Sequence, residues 1–335
     1  VTKILKVRKK QPALKSERAR PLNNKLLHSV LIKHPYIMNI TSLRRLWFSI
    51  SAALVLASLA VVGVFGLNLG LDFTGGARWD VQFEEPTTAA ELNSFFANRP
   101  ELSQEVAIQA STDNTYLITI EDLPDAEIQT IGTALAAEVG AYEQTSYRKV
   151  DSAIGQSFKQ KSLYAIATAL IGIILFVAFA FRKIPAAINP WRFGGVAIMA
   201  LLHDIIIVLG IFVLLGALLD VELDLPFITA LLATLGFSVN DTIVVLDRVR
   251  ENIRLQKANE TFEDTVEKSV QQTLWRSLNT SVSTLLPLIA LFIFGAESIS
   301  FFVLALIVGI LIGTYSSIFL AAPMLVEWKL WADKK

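Results

Sequence analysis

Six apolar blocks, each long enough to cross the roughly 30 Å hydrocarbon core of a bilayer, constrain this chain more than any other feature. They run Trp47–Leu67, Ser162–Phe181, Phe193–Leu219, Leu225 to about Leu246, about Ser277 to Gly295, and Ile299–Val326. With 53% of 335 residues hydrophobic and only 18% charged, the composition is too apolar for a soluble domain of this length. The predicted fold class is a polytopic α-helical membrane protein with six transmembrane helices, because a helix satisfies its own backbone polar groups in lipid. The first block is too long for the apolar region of a cleaved signal, so an uncleaved signal anchor is expected. Cysteine is absent, which excludes disulfides, thiolate catalysis and cysteine-ligated metals. The three histidines, His28, His34 and His203, show no metal-ligand spacing. With no visible nucleophile–base pair or metal set, neither an enzyme nor a cofactor is expected.

Basic residues near the block ends predict the orientation. Residues 1–46 are rich in Lys and Arg and hold one acid, Glu17. Arg182, Lys183 and Arg192 lie in the next loop on the same side, followed by Arg248, Arg250, Arg254, Lys257, Lys268 and Arg276, and then Lys329, Lys334 and Lys335. The other side carries the acidic turn "DVELD" and the short "AES". Both termini are thus expected in the cytoplasm, with residues 68–161 across the membrane. The basic arm is read as a positive-inside flank rather than a surface for anionic lipid or ribosomal RNA, so no nucleic-acid partner is expected.

The segment 68–161 reads as an α+β domain. "ARWDVQF", "EVAIQA", "TYLITI" and "YEQTSYRKV" read as strands, with "STDN" as a turn. "TTAAELNSFFANR" and "PDAEIQTIGTALAAEVG" read as helices, the first capped by Thr87 or Thr88. The order βαββαβ is the ferredoxin-like arrangement, which hosts many functions. "GLDFTGG" (Gly70, Asp72, Gly75, Gly76) lacks the phosphate-loop pattern, and it is read as a hinge between the first span and the first strand. Gly75 and Gly76 would supply backbone angles closed to other residues. Near 261–276, apolar residues four apart predict an amphipathic helix on the inner membrane surface, N-capped by Thr261 and delivering Arg276 to the bundle.

Charges inside the spans are the candidate functional residues, since a carboxylate in hydrocarbon costs a few kcal/mol or more without a partner or a function. Thr234 and Ser238 fall within about 60° of Asp241 on a helical wheel, so Asp241 lies on a polar stripe. Asn240 points elsewhere, toward a neighbouring helix. Asp247, among Arg248 and Arg250 at the end of the fourth span, reads as a surface ion-pair residue. Arg276, Thr280, Ser283 and Pro287 form a second stripe, within about 40° of one another. Either this stripe faces Asp241, or Arg276 is a snorkelling, positive-inside arginine. His203 and Asp204, near mid-bilayer, either relay protons or form an interhelical hydrogen-bonded pair. Two acids and an arginine in one bundle suggest a proton or sodium pathway, in which Arg276 moving away from Asp241 lets the carboxyl take up a proton.

"GFSVNDTIVVLDRVREN", "GLDFTGG" just after the first span, "LLHD" in the third and "IGTYSS" in the sixth together resemble the SecF family. These are the smaller membrane subunits of the bacterial SecDF protein-export complex, within the RND transporter superfamily. The resemblance spans residues 43 to 328. The order N-D-T and the short exported domain resemble SecF more than SecD. The resemblance implies that the six spans are half of a twelve-span unit completed by SecD, in the bacterial cytoplasmic (inner) membrane. It implies a proton-responsive acid at Asp241 and a functional arginine at Arg276. It further implies use of the proton-motive force, or of a sodium gradient, to assist late preprotein translocation through the SecYEG channel. The alternative is half of an RND-type small-molecule exporter, against which the short exported domain argues.

Overall fold

The computed structural model describes residues 39–99, 106–110, 114–120, 123–182 and 190–334. The basic arm to residue 38 with His28 and His34, residues 111–113 of the expected "STDN" turn, and the loop 183–189 lie outside the described residues. Helix α1 (Arg44–Phe65) ends at Gly66 and is followed by one helical turn, α2 (Leu71–Thr74). The chain then forms β1 (Gly76–Phe83), α3 (Ala89–Ala97), β2 (Ala107–Ala110), β3 (Thr115–Ile120), α4 (Asp125–Glu138) and β4 (Tyr142–Val150). Four long helical segments complete it: α5 (Ser152–Ala180), α6 (Pro190–Leu219), α7 (Leu225–Arg254) and α8 (Phe262–Phe294). The last span is one continuous rod of three pieces: α9 (Ser300–Tyr315), a π turn (Ser316–Ala321) and α10 (Ala322–Asp333). Among the described residues six helices are long and apolar enough to cross a membrane, as the six blocks predict.

The sheet domain follows the predicted order of elements. Its strands lie in the order β2-β3-β1-β4, each antiparallel to its neighbours. Alternate residues of β1 (Ala77, Trp79, Val81, Phe83) and β3 (Tyr116, Ile118, Ile120) turn to one face, as the period of two requires. There they bury Leu92, Phe95 and Phe96 of α3 and Ile128, Ile131 and Leu135 of α4. Thr88 caps α3 in a reciprocal box with Glu91.

Three boundaries differ from the sequence reading. The "LDFT" segment of the motif read as a hinge makes the helical turn α2 before Gly75 and Gly76 take φ of 76° and 120°. These angles are the left-handed backbone anticipated for the two glycines. Helix α5 starts at Ser152 rather than Ser162, so it enters the bundle already formed from the domain, capped by Asp151. The amphipathic stretch 261–276 is not a separate surface helix but the first half of α8. Thr265, Val266, Ser269, Val270 and Thr273 are buried on a stripe that continues through Ser277, Ser281 and Leu285. No Gly or Pro occurs from Phe262 to Leu286, so nothing interrupts that helix. Thr261 does cap it, in a box with Asp264.

Helices α6, α7 and the last span form the centre of the bundle: half of each apolar window is buried, against 11% or less for α1, α5 and α8. Two apolar clusters fill this centre. One, with Val208, Phe212, Phe227 and Leu231, lies toward the sheet domain. The other, with Phe193, Val196, Leu246, Val249, Val266 and Leu325, lies toward the far end. Buried polar residues interrupt this apolar centre, among them Asp204, Ser238, Asp241, Ser277, Ser316 and Ser317.

Candidate functional site

Asp241 is buried on α7, on one face with Thr234 and Ser238 as its spacing predicts. Its carboxylate is held by hydroxyls from two other helices. Ser277 Oγ of α8 donates to Oδ1 at 2.6 Å, and Ser317 Oγ of the π turn donates to Oδ2. Thr234 donates its hydroxyl to its own helix at Leu231 O, 2.9 Å, so it adds shape rather than charge stabilisation. Gly309 and Gly313 of α9 let this face come close. A Cβ at Gly309 would lie 2.4 Å from Thr234 Cγ2, and one at Gly313 would lie 2.8 Å from Ser238 Cβ. Small residues at such a crossing are how membrane helices bring their backbones together.

Asp204 of α6 is equally buried and lies at the level of Ser238. Oδ1 pairs with His203 Nδ1 at 2.9 Å, while Oδ2 accepts from Ser238 Oγ at 2.5 Å and Ser316 Oγ at 2.9 Å. His203 and Asp204 are bonded to each other within α6, and the bonds between helices run from Asp204 to Ser238 of α7 and Ser316 of the last span. His203 stacks on Tyr315 at 6.1 Å, and its buried Nε2 has no partner among the described residues. The adjacent serines Ser316 and Ser317 thus reach two carboxyls on two different helices. They sit at the start of the π turn, a rare one-residue insertion that occurs frequently at functional sites.

The second predicted stripe does not face Asp241. Arg276, Thr280 and Ser283 are exposed on the outward side of α8. Thr280 Oγ1 donates to Arg276 O at 2.9 Å and Ser283 Oγ to Thr280 O at 2.9 Å, so both hydroxyls are spent on their own helix. The buried stripe is one residue on, at Thr273, Ser277 and Ser281. The wheel grouped the polar residues correctly but could not say which of two polar faces turns inward. Arg276 makes no ion pair among the described residues; it precedes Ser277 by one residue, so along the helix axis the two differ by about 1.5 Å in depth while facing different sides. Asn240 is exposed in a groove of about 370 Å³ between α5 and α7, lined by Ala169, Gly172, Phe176 and Gly236. At the end of α7, Asp247 pairs with Arg250 at 2.6 Å and Arg248 with Glu251 at 2.7 Å, the surface pairing expected there.

The "GLDFTGG" motif is pinned rather than free. Gly70 N–H donates to Leu223 O and Leu223 N–H to Asn68 O, both at 2.8 Å, so the motif pairs with the α6–α7 connection. Asp72, buried, accepts Leu225 N–H at 3.1 Å with Oδ2 and Arg148 of β4 at 3.2 Å with Oδ1. Arg78 of β1 pairs with Glu222 alongside. Asp224 caps α7 by accepting Phe227 N–H at 2.8 Å. Burial pushes its carboxyl above the ordinary range, against the Phe227 N–H that lowers it, with Asp72 and Glu222 adding to the rise. Gly75 and Gly76 join this junction to β1: Gly75 N–H donates to Leu71 O at 2.9 Å, and Gly76 opens β1 opposite Val150. A Cβ at Gly75 would lie 2.6 Å from Ser152 Cα.

Sequence reasoning missed Ser277, Ser316 and Ser317 as partners of the carboxyls; only the "IGTYSS" motif pointed to the last two. It also missed Glu267, buried on α8, which accepts the Ile40 and Thr41 N–H groups and the Thr41 hydroxyl. Among the described residues no group of three or more His, Asp or Glu side chains is placed to hold a metal.

The fold and the site define a multi-pass membrane protein with a small sheet domain and ionisable residues sealed in a serine-lined layer of its bundle. Residues 130–331 match the family described as "Protein export membrane protein SecD/SecF, C-terminal", and residues 60–87 match the "SecD/SecF GG Motif". The chain belongs to the SecF family of protein-export membrane proteins. It is 40% identical to the protein translocase subunit SecF of Thermobaculum terrenum over 88% of this chain and 94% of that one. It is 35% identical to the protein translocase subunit SecDF of Bacillus subtilis over 86% of this chain but 38% of that one. The crystal structure of SecDF from Thermus thermophilus, described as a translocon-associated membrane protein, superposes with a TM-score of 0.76 at 33% identity. That match covers 88% of this chain and 39% of the other.

Proposed function

We propose that this protein acts with SecD in preprotein export, using an ion gradient rather than catalysing a reaction, and that Asp241 is the proton-binding group. The observation that carries this reading is a carboxyl held, among the described residues, by two neutral hydroxyls inside the bundle of a SecF-family protein. Such a group can change charge without breaking a fixed ion pair. Moving one charge across 100 mV supplies about 2.3 kcal/mol, enough to bias a two-state packing. SecD is the expected partner because relatives named SecDF are more than twice the matched length. Arg276 supports the same reading: an arginine at the depth of Asp241, facing outward, needs a partner from a second half-unit. We place the sheet domain on the extracytoplasmic side of the inner membrane and both termini in the cytoplasm, on the distribution of Lys and Arg.

The route to the domain runs along α7. Asp241 lies sixteen residues, or about 24 Å, from Leu225, whose N–H is held by Asp72. A shift of α7 on proton binding therefore pulls on Asp72, and through Arg148 and the Arg78–Glu222 pair on the sheet that meets emerging polypeptide near the SecYEG exit. Export into vesicles holding this protein, SecD and the channel tests the reading, with proton and sodium gradients collapsed separately. Loss of stimulation with one gradient names the ion. Unchanged export with both collapsed refutes gradient coupling.

A further inference from the structure

We propose that Asp204 is a second proton-binding carboxyl, and that the π turn Ser316–Ala321 ties its charge state to that of Asp241. This rests on the reading of Asp241 as a proton carrier.

The groups facing Asp204 are His203 from its own helix, Ser238 from α7 and Ser316 from the last span; Tyr315 lies behind His203. No Lys or Arg pairs with it among the described residues. His203 Nδ1 lies 2.9 Å from Oδ1, and in the tautomer with its hydrogen on Nδ1 the ring donates to the carboxylate. With Ser238 and Ser316 that makes three hydrogen-bond donors and no Lys or Arg partner among the described residues, so the charge of Asp204 is not locked in a fixed ion pair with either.

Access favours Asp204 as the first carboxyl reached from the domain end. Ser238, at its level, precedes Asp241 by three residues, about 4.5 Å along α7. On that side a small cavity is lined by Asp204, Val208, Leu231, Thr234 and Gly309. A water's centre has about 10 Å³ there, the room one water needs, with Asp204 and Thr234 as polar partners.

The serines couple the two sites because each has a choice of acceptor. Ser316 Oγ lies 2.9 Å from Asp204 and 3.1 Å from Gly313 O. Ser317 Oγ reaches Asp241 and lies 3.0 Å from Thr314 O. When the acid is ionised, the hydroxyl donates to it. When the acid carries a proton, its O–H donates to the serine oxygen and the serine hydrogen turns to the backbone carbonyl. No bond breaks except the one that delivers the proton from water. Gly313 and Thr314 lie just before the junction of α9 with the π turn, where a side-chain donor competes with the helix's own N–H groups. Ser316 and Ser317 are adjacent, so a backbone adjustment made for one acid moves the donor of the other.

Infrared difference titration of the full chain in lipid, comparing wild type with Asp204→Asn and Asp241→Asn, tests this. We expect two pH-dependent buried carboxyl bands. Asp204→Asn removes one and moves the midpoint of the other by about one pH unit, as coupled sites require. Ser316→Ala and Ser317→Ala keep both carboxyls and remove the dependence of one midpoint on the other; they read the coupling even if Asp204→Asn fails to accumulate. An unchanged spectrum in Asp204→Asn overturns the second site. Two bands with independent midpoints overturn the coupling. If the Asp241 band does not titrate, the earlier reading of Asp241 fails, while the Asp204 band still decides the second site.

Discussion

Replacing Asp241 with Asn should separate charge from packing. The carboxylate accepts one hydrogen bond on each oxygen, from Ser277 and Ser317. In Asp241→Asn the amide oxygen still accepts from Ser277. The amide N–H then donates to Ser317, whose hydrogen turns to Thr314 O, already 3.0 Å away. Both serines keep a partner and only the second amide N–H is left over, so the change in stability should be about 1 kcal/mol, the low end for an unpaired buried donor. In Asp241→Ala, Ser317 keeps Thr314 O but Ser277 loses its acceptor, and an orphaned buried hydroxyl costs about 1–3 kcal/mol. The asparagine variant should reach the membrane at wild-type abundance and assemble normally. Its gradient-dependent stimulation of export into vesicles should vanish, while gradient-independent export continues. The alanine variant should lose both abundance and stimulation. Full stimulation in Asp241→Asn would refute the argument, because a side chain that cannot titrate would then be doing the coupling.

The junction gives a second test: Asp72→Ala removes a charge-assisted bond to Leu225 N–H worth about 1.5–3 kcal/mol. The pair with Arg148, 60% exposed, adds little. Amide exchange at Leu225 should speed up roughly tenfold to a hundredfold, and stimulated export should fall with the sheet domain's thermal midpoint unchanged; unaltered export would remove Asp72 from the coupling route. Gly309→Val should cost about 1–3 kcal/mol, since its β-carbon meets Thr234 at 2.4 Å and the helices must part, and membrane abundance reads the loss. Asp224 predicts a pH effect. Its folded-state carboxyl binds protons more tightly than the unfolded one, so its contribution to stability is full below the ordinary Asp value and is lost as pH rises through the raised folded value. Asp224→Asn caps helices equally well, so it should flatten that stretch of the melting profile and stabilise the junction at neutral pH.

The sequence by itself determined the six spans, the order of elements in the sheet domain and the face of α7 that bears Asp241. These follow from local periodicity and from the energetic cost of a buried charge, neither of which needs a partner helix to be known. The two glycines after "LDFT" were legible for the same reason, since no other residue takes their backbone angles readily. Tertiary structure decided what a wheel cannot. Helix α8 carries two polar stripes one residue apart, and composition does not say which turns inward; packing against α7 chose Ser277 and left Arg276 outside. Ser316 and Ser317 looked like ordinary small residues of an apolar span until the π turn set them against two different helices. Asp72 belonged to a glycine-rich turn in one dimension. In three dimensions it joins the start of α7 to the sheet, because the connection after α6 returns to the very segment that leaves α1. Partnership between segments some 150 residues apart is a property of how the helices cross, and no local rule encodes it.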